Sequence, residues 1–163
     1  MEEPAGGGEQ SSPGGLRHRL LPTDSAPGAE PGPGRLQLSL WYHGDGHKLV
    51  AIVHACRRLR PVGKEPPDPF VSLLLLPERG RGAKRKTSAQ RRTLDPDFNE
   101  RFEWDLSLED ASRRTLEAQV KSCPSFMARD KEVLGKLYLD LSQVDLSEGR
   151  PHWYNLQDAR SGP

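Results

Sequence analysis

Seven cations fall between positions 79 and 92 of this chain (Arg79, Arg81, Lys84, Arg85, Lys86, Arg91 and Arg92), and no Asp or Glu interrupts them. The 163 residues hold 24 Lys and Arg against 23 Asp and Glu, a formal charge of +1, so this +7 window leaves −6 for the remainder. One concentrated positive patch on an acidic body suits an anionic surface approached from one side. A charge run can also be a plain solvated face, but seven in fourteen residues, flanked by strand-like sequence, weigh against that. In an extended segment Lys84, Lys86 and Ser88 fall on one face and Arg85 and Thr87 on the other. Each Lys or Arg near an anionic leaflet contributes about 1 kcal/mol, screened by salt, so four together would give about 4 kcal/mol before ordering costs.

Other reactive side chains form no constellation. The histidines are His18, His43, His47, His54 and His152, and none stands at zinc-ligand spacing with Cys56 and Cys123. No nucleophile elbow, phosphate loop or dinucleotide fingerprint occurs, so no enzyme chemistry is expected. Two cysteines in this length do not make a disulfide framework, and a reducing, cytosolic setting follows as the default. His54 reads as a satisfied core or edge group. Cys56 lies on a strand apolar on both faces, so its direction stays open.

The elements that must position the basic window are short and β-like. Leu36, Leu38, Leu40 and Tyr42 alternate with polar or amphipathic neighbours as a half-buried strand does. Gly44-Asp45-Gly46 turns the chain into a second strand, Lys48 to Cys56. After a proline-stiffened loop, Phe70 to Leu76 is a strand stopped by Pro77. Gly80 and Gly82 lead into the basic strand near Lys84 to Ser88. A turn at residues 93–97 precedes a strand carrying Phe98, Phe102, Trp104 and Leu106 on even positions. Ser107, with Asp110 three residues on, resembles a capping box and predicts a helix from Leu108 to Thr115. Leu116 to Ser122, Leu134 to Leu141 and Trp153 to Leu156 complete eight strands. An all-β antiparallel Greek-key sandwich is expected.

Together these segments resemble a C2 domain of the synaptotagmin type. Asp68-Pro-Phe-Val71, Leu75-Leu-Pro77, Lys86-Thr87, Thr93-Leu-Asp-Pro-Asp-Phe-Asn-Glu100, Leu134-Gly135 and Trp153-Tyr-Asn-Leu156 carry the resemblance over residues 35–157. Pro66 to Pro77 and Phe98 to Trp104 look most like the last C2 domain of the extended synaptotagmins. That resemblance implies synaptotagmin-like strand topology. It also implies a peripheral role at the cytoplasmic face of the plasma membrane, and at endoplasmic reticulum–plasma membrane contact sites within a longer protein that tethers membranes and transfers lipid. This chain has neither the membrane hairpin nor the lipid-carrying domain of such a protein, so a fragment or short form is expected. Lys84 and Lys86 fall on positions that receive phosphoinositide headgroups, making phosphatidylinositol 4,5-bisphosphate the favoured ligand. Arg85 belongs to the same patch, Arg91 and Arg92 lie in the adjoining turn, and Arg79 and Arg81 on the preceding loop.

Calcium-binding C2 domains pool about five carboxylates on two loops, because calcium wants six to eight hard oxygens. Here the first-loop aspartate is replaced by Val62, and the third-loop Asp-x-Asp reads Ser122-Cys-Pro124. Asp68, Asp130 and Glu132 remain as residual candidates, and Asp68 has an alternative role capping its own loop. No metal and no other cofactor is therefore expected, and membrane binding should be largely calcium-independent. Phe126 and Met127 at the third loop tip, with Val62 at the first, are candidates for insertion into the bilayer; Phe126 has the equal alternative of folding back on the sandwich. A protein module binding an acidic partner is the rival reading. Nucleic acid is not expected, because the aromatics occupy core-facing strand positions and leave no stacking platform.

Composition separates the two ends of the chain. Residues 1–34 hold eight of the 16 Gly and six of the 15 Pro and no aromatic residue, and are expected to be a disordered linker. Residues 158–163 are expected to be a short disordered tail. No apolar run approaches the ~18 residues needed to span a bilayer, and Met1-Glu-Glu-Pro lacks the basic and apolar regions of a secretory leader.

Overall fold

A computed structural model of the protein describes residues 32–61, 63–77, 83–124 and 132–158. Among them are β1 (Arg35–His43), β2 (Lys48–Arg57), β3 (Pro69–Leu76), β4 (Lys84–Lys86), β5 (Asp97–Asp105), α1 (Leu108–Ser112), β6 (Thr115–Ser122), β7 (Glu132–Asp140) and β8 (His152–Asn155). The strands form two four-stranded antiparallel sheets, ordered β5-β2-β1-β8 and β4-β3-β6-β7. All eight expected strands are present.

Period-two alternation explains the core between the sheets. Leu36, Leu38 and Leu40 of β1 face Leu73 of β3, Ala118 of β6 and Leu137 and Leu139 of β7 in one continuous apolar cluster. Burying each large aliphatic side chain contributes about 1.5–3 kcal/mol. Cys56 joins this cluster with no exposed surface, which settles its direction, and burial pushes its thiol pKa far up. It is therefore inert as a nucleophile. The β2 ladder skips a residue between Val53 and Ala55. His54 sits at that irregularity, its Nε2 2.8 Å from the Ser39 hydroxyl.

The helix is shorter than expected. Ser107 caps it by accepting the Asp110 N–H, as the sequence indicates, but α1 ends at Ser112 with Arg113 as its C-cap. The β-branched Thr115 instead opens β6, paired with Leu76 on one side and Asp140 on the other. Sheet pairing on both flanks outweighs another half-turn of helix, which alone is marginal at this length. No helix among the described residues is long and apolar enough to cross a membrane.

Candidate functional site

The cross-strand register of the β4-β3-β6-β7 sheet decides where each basic residue points. Lys84 pairs with Leu74, Arg85 with Leu73 and Lys86 with Ser72. Continuing across the sheet, Leu74 pairs with Glu117 and then Tyr138, while Ser72 pairs with Gln119 and then Lys136. Paired residues in a sheet share a face, so Lys84, Lys86, Gln119 and Lys136 stand on the outer face together. Phe70 pairs with Lys121 in the next row, bringing a fourth lysine to the same side. Adjacent strands lie about 4.8 Å apart, so the row from Lys86 to Lys136 spans about 14 Å of backbone.

Lys84 and Lys86 are exposed, and among the described residues neither is paired with a carboxylate. Glu117 interrupts the lysines. Its carboxylate accepts the Tyr138 hydroxyl at 2.9 Å, and burial together with this carboxylate raises the Tyr138 pKa, keeping the phenol a donor.

Arg85 does different work. The inner row to which it belongs continues through Leu73, Ala118 and Leu137, all without exposed surface. At the sheet edge its guanidinium crosses to β5: Nε and Nη2 donate to the Glu103 carbonyl at 3.1 and 2.7 Å. Its charge also lies 5.2 Å from the centre of the Trp104 ring. The Trp104 indole in turn donates to the Ala83 carbonyl at 2.8 Å. These contacts fasten the three-residue β4 to the other sheet and hold Lys84 and Lys86 outward.

Thr87 prolongs the pairing past β4. Its N–H donates to the Val71 carbonyl, and its hydroxyl accepts the Val71 N–H, both at 2.9 Å. Beyond it, Arg91 and Arg92 are exposed, and Arg92 adopts a left-handed φ of 47°. Arg92 donates its N–H to the Asp68 carboxylate at 2.8 Å and forms an exposed ion pair with Glu65. Such a surface pair contributes little, about 0–1 kcal/mol. The Cys123 N–H donates to the Asp68 carbonyl at 3.0 Å, so the ends of the first and third loops are laced together at this residue. Asp68 thus makes the loop-capping contact open to it from sequence. Glu132 begins β7, exposed and paired with Ser122. Arg79, Arg81, Val62, Phe126, Met127 and Asp130 lie outside the described residues.

The register brings together Lys84 and Lys86 with two lysines that the sequence reading did not single out, Lys121 and Lys136. Their signal is weak in one dimension. Each is a lone lysine on an alternating strand, and only pairing from β4 through β3 to β6 and β7 unites them with Lys84 and Lys86.

Residues 47–156 match the model of the C2 domain family, and the chain belongs to that family. Over 144 residues it is 57% identical to extended synaptotagmin-1 of Pongo abelii and 56% identical to that of Homo sapiens. Both alignments cover 88% of this chain but only 13% of the relative, so the chain spans a small part of these proteins' length. Among solved structures, the third C2 domain of the KIAA1228 protein is 34% identical, with a TM-score of 0.73, covering 85% of this chain and 99% of that one.

Proposed function

We propose that this chain is a non-enzymatic module that docks on anionic phospholipid, phosphoinositide above all, through the outer face of the β4-β3-β6-β7 sheet. The observation that carries this reading is the pair of exposed lysines on β4, of which Lys86 lies in register across the sheet with Lys136 and one row from Lys121. Several cations on one wall can engage several phosphate oxygens of one headgroup, and such charge-assisted bonds are the strong kind. Likeness to extended synaptotagmin-1 supports the same reading, with phosphatidylinositol 4,5-bisphosphate as the favoured headgroup. Arg91 and Arg92, with Arg79 and Arg81, add long-range attraction; Val62, Phe126 and Met127 are the candidates for insertion. In a longer protein of that kind, the module would hold an endoplasmic reticulum tether against the plasma membrane and so assist lipid transfer.

Docking is independent of calcium in this proposal. A tight calcium site needs pooled carboxylate oxygens. Among the described residues no three His, Cys, Asp or Glu side chains come together. The Asp68 carboxylate is engaged by the Arg92 N–H, and Ser122, Cys123 and Pro124 stand where paired aspartates would supply charge.

Co-sedimentation tests the proposal. Vesicles of phosphatidylcholine alone, and with the bisphosphate lipid added, are compared in calcium and in chelator. Binding that requires the anionic lipid, ignores calcium and is lost in K84A/K86A is expected. Binding that demands calcium would move the site to Asp68, Asp130 and Glu132. No binding to either vesicle would favour an acidic protein partner instead.

A further inference from the structure

We propose that Ser88 is a phosphorylation site for a protein kinase selecting basic residues, and that its phosphate releases the module from anionic membrane. The second half rests on the membrane reading above.

Two neighbouring hydroxyls follow the basic strand in Lys84-Arg-Lys-Thr-Ser88, and the structure separates them. Thr87 is 6% exposed. Its hydroxyl donates to the Ser88 carbonyl and accepts the Val71 N–H, so it cannot reach a nucleotide without dismantling the strand end. Ser88 is exposed, beyond the last residue of the edge strand β4. Exposed cations flank it on both sides: Lys84 and Lys86 four and two residues before, Arg91 and Arg92 three and four after. Arg85 is held against Glu103 and Trp104. The folded chain therefore offers these four cations to an acidic substrate groove.

In the transfer, the Ser88 Oγ attacks the γ-phosphorus of magnesium ATP. The new O–P bond forms as the bond to the β–γ bridging oxygen breaks. ADP leaves with the electron pair, and the hydroxyl proton passes to a carboxylate of the kinase. The product carries about −1.5 to −2 charges at neutral pH. They arise two residues from Lys86, just past the end of β4. The Glu100 carboxylate, which accepts the Ser88 N–H at 2.9 Å, repels the phosphate from the β5 side and favours the lysine face. A phosphate there neutralises about two of the cations that attract the leaflet, which weakens vesicle binding roughly 10- to 30-fold.

The test uses the full chain, magnesium ATP and the catalytic fragment of a basophilic kinase, with the modified residue mapped by peptide mass. Unmodified, phosphorylated and kinase-treated Ser88→Ala proteins are then compared on vesicles containing the bisphosphate lipid. Labelling at Ser88, weakened binding of the labelled protein and unaltered binding of treated Ser88→Ala are expected. Labelling at Thr87 alone, or no labelling, would overturn the acceptor assignment. A labelled protein that binds as before would overturn the switch. If unmodified protein fails to bind at all, the membrane reading falls, and the switch with it, whatever the kinase labels.

Discussion

Lys84 and Arg85 are adjacent cations whose side chains leave the strand on opposite faces, and their substitutions should separate accordingly. Replacing Lys84 and Lys86 with alanine removes two exposed charges and nothing from the core, so thermal stability should stay within about 0.5 kcal/mol of wild type. Vesicle binding should fall about 30-fold at low salt, at about 1 kcal/mol per charge. Arg85→Ala should instead destabilise the fold by about 1–3 kcal/mol, because hydrogen bonds from a charged donor and a cation–π contact are lost. Chemical denaturation with parallel vesicle binding checks both. Glu117 gives the converse test. Glu117→Gln keeps an acceptor for the Tyr138 hydroxyl while removing a negative charge from the lysine face. Binding should strengthen about fivefold, with little change in the unfolding midpoint.

At the scale of elements, a three-residue strand is too short to hold itself, and β4 depends on β5 through Trp104 and Arg85. Trp104→Phe keeps most of the ring volume but loses the indole N–H to the Ala83 carbonyl. It should cost about 1–2 kcal/mol, and hydrogen exchange should quicken at Arg85 and Thr87 while β1 and β2 stay protected. The strands were legible in the sequence because alternation and turn residues agree locally: Leu36, Leu38 and Leu40, or Phe98 and Trp104, announce their inner faces without help. The helix end was not, since the limit at Ser112 is imposed by partners of Thr115 on two other strands. The basic site divides the same way. Lys84, Lys86 and the opposed Arg85 follow from period-two alternation alone. Lys121 and Lys136 reach them only through long-range register. The destination of the Arg85 guanidinium depends on sheet-to-sheet packing, which no local pattern encodes.

For the whole molecule, acid should weaken the fold partly through His54. Burial holds its pKa below the ordinary value of 6.5, with Asn99 opposing the shift and Ser39 bonded to its ring. The unfolded chain therefore binds that proton first as pH falls, so this contribution is intact above about pH 6.5 and is lost as pH falls from there toward the depressed folded value. The melting temperature should drop between pH 7 and 5, and His54→Gln should flatten that slope. Charge asymmetry is the larger feature: a +7 window on a chain of net +1 gives one attractive side. The central claim is that this side receives anionic headgroups on the outer face of β4-β3-β6-β7. Its most direct test is a titration of the isotopically labelled chain with the soluble inositol trisphosphate headgroup in chelator, followed by amide chemical shifts. The largest shifts are expected at Lys84, Lys86, Gln119, Lys121 and Lys136, with Asp68 and Cys123 little moved. Shifts confined to Asp68, Cys123 and their loops, or none at all, would contradict it.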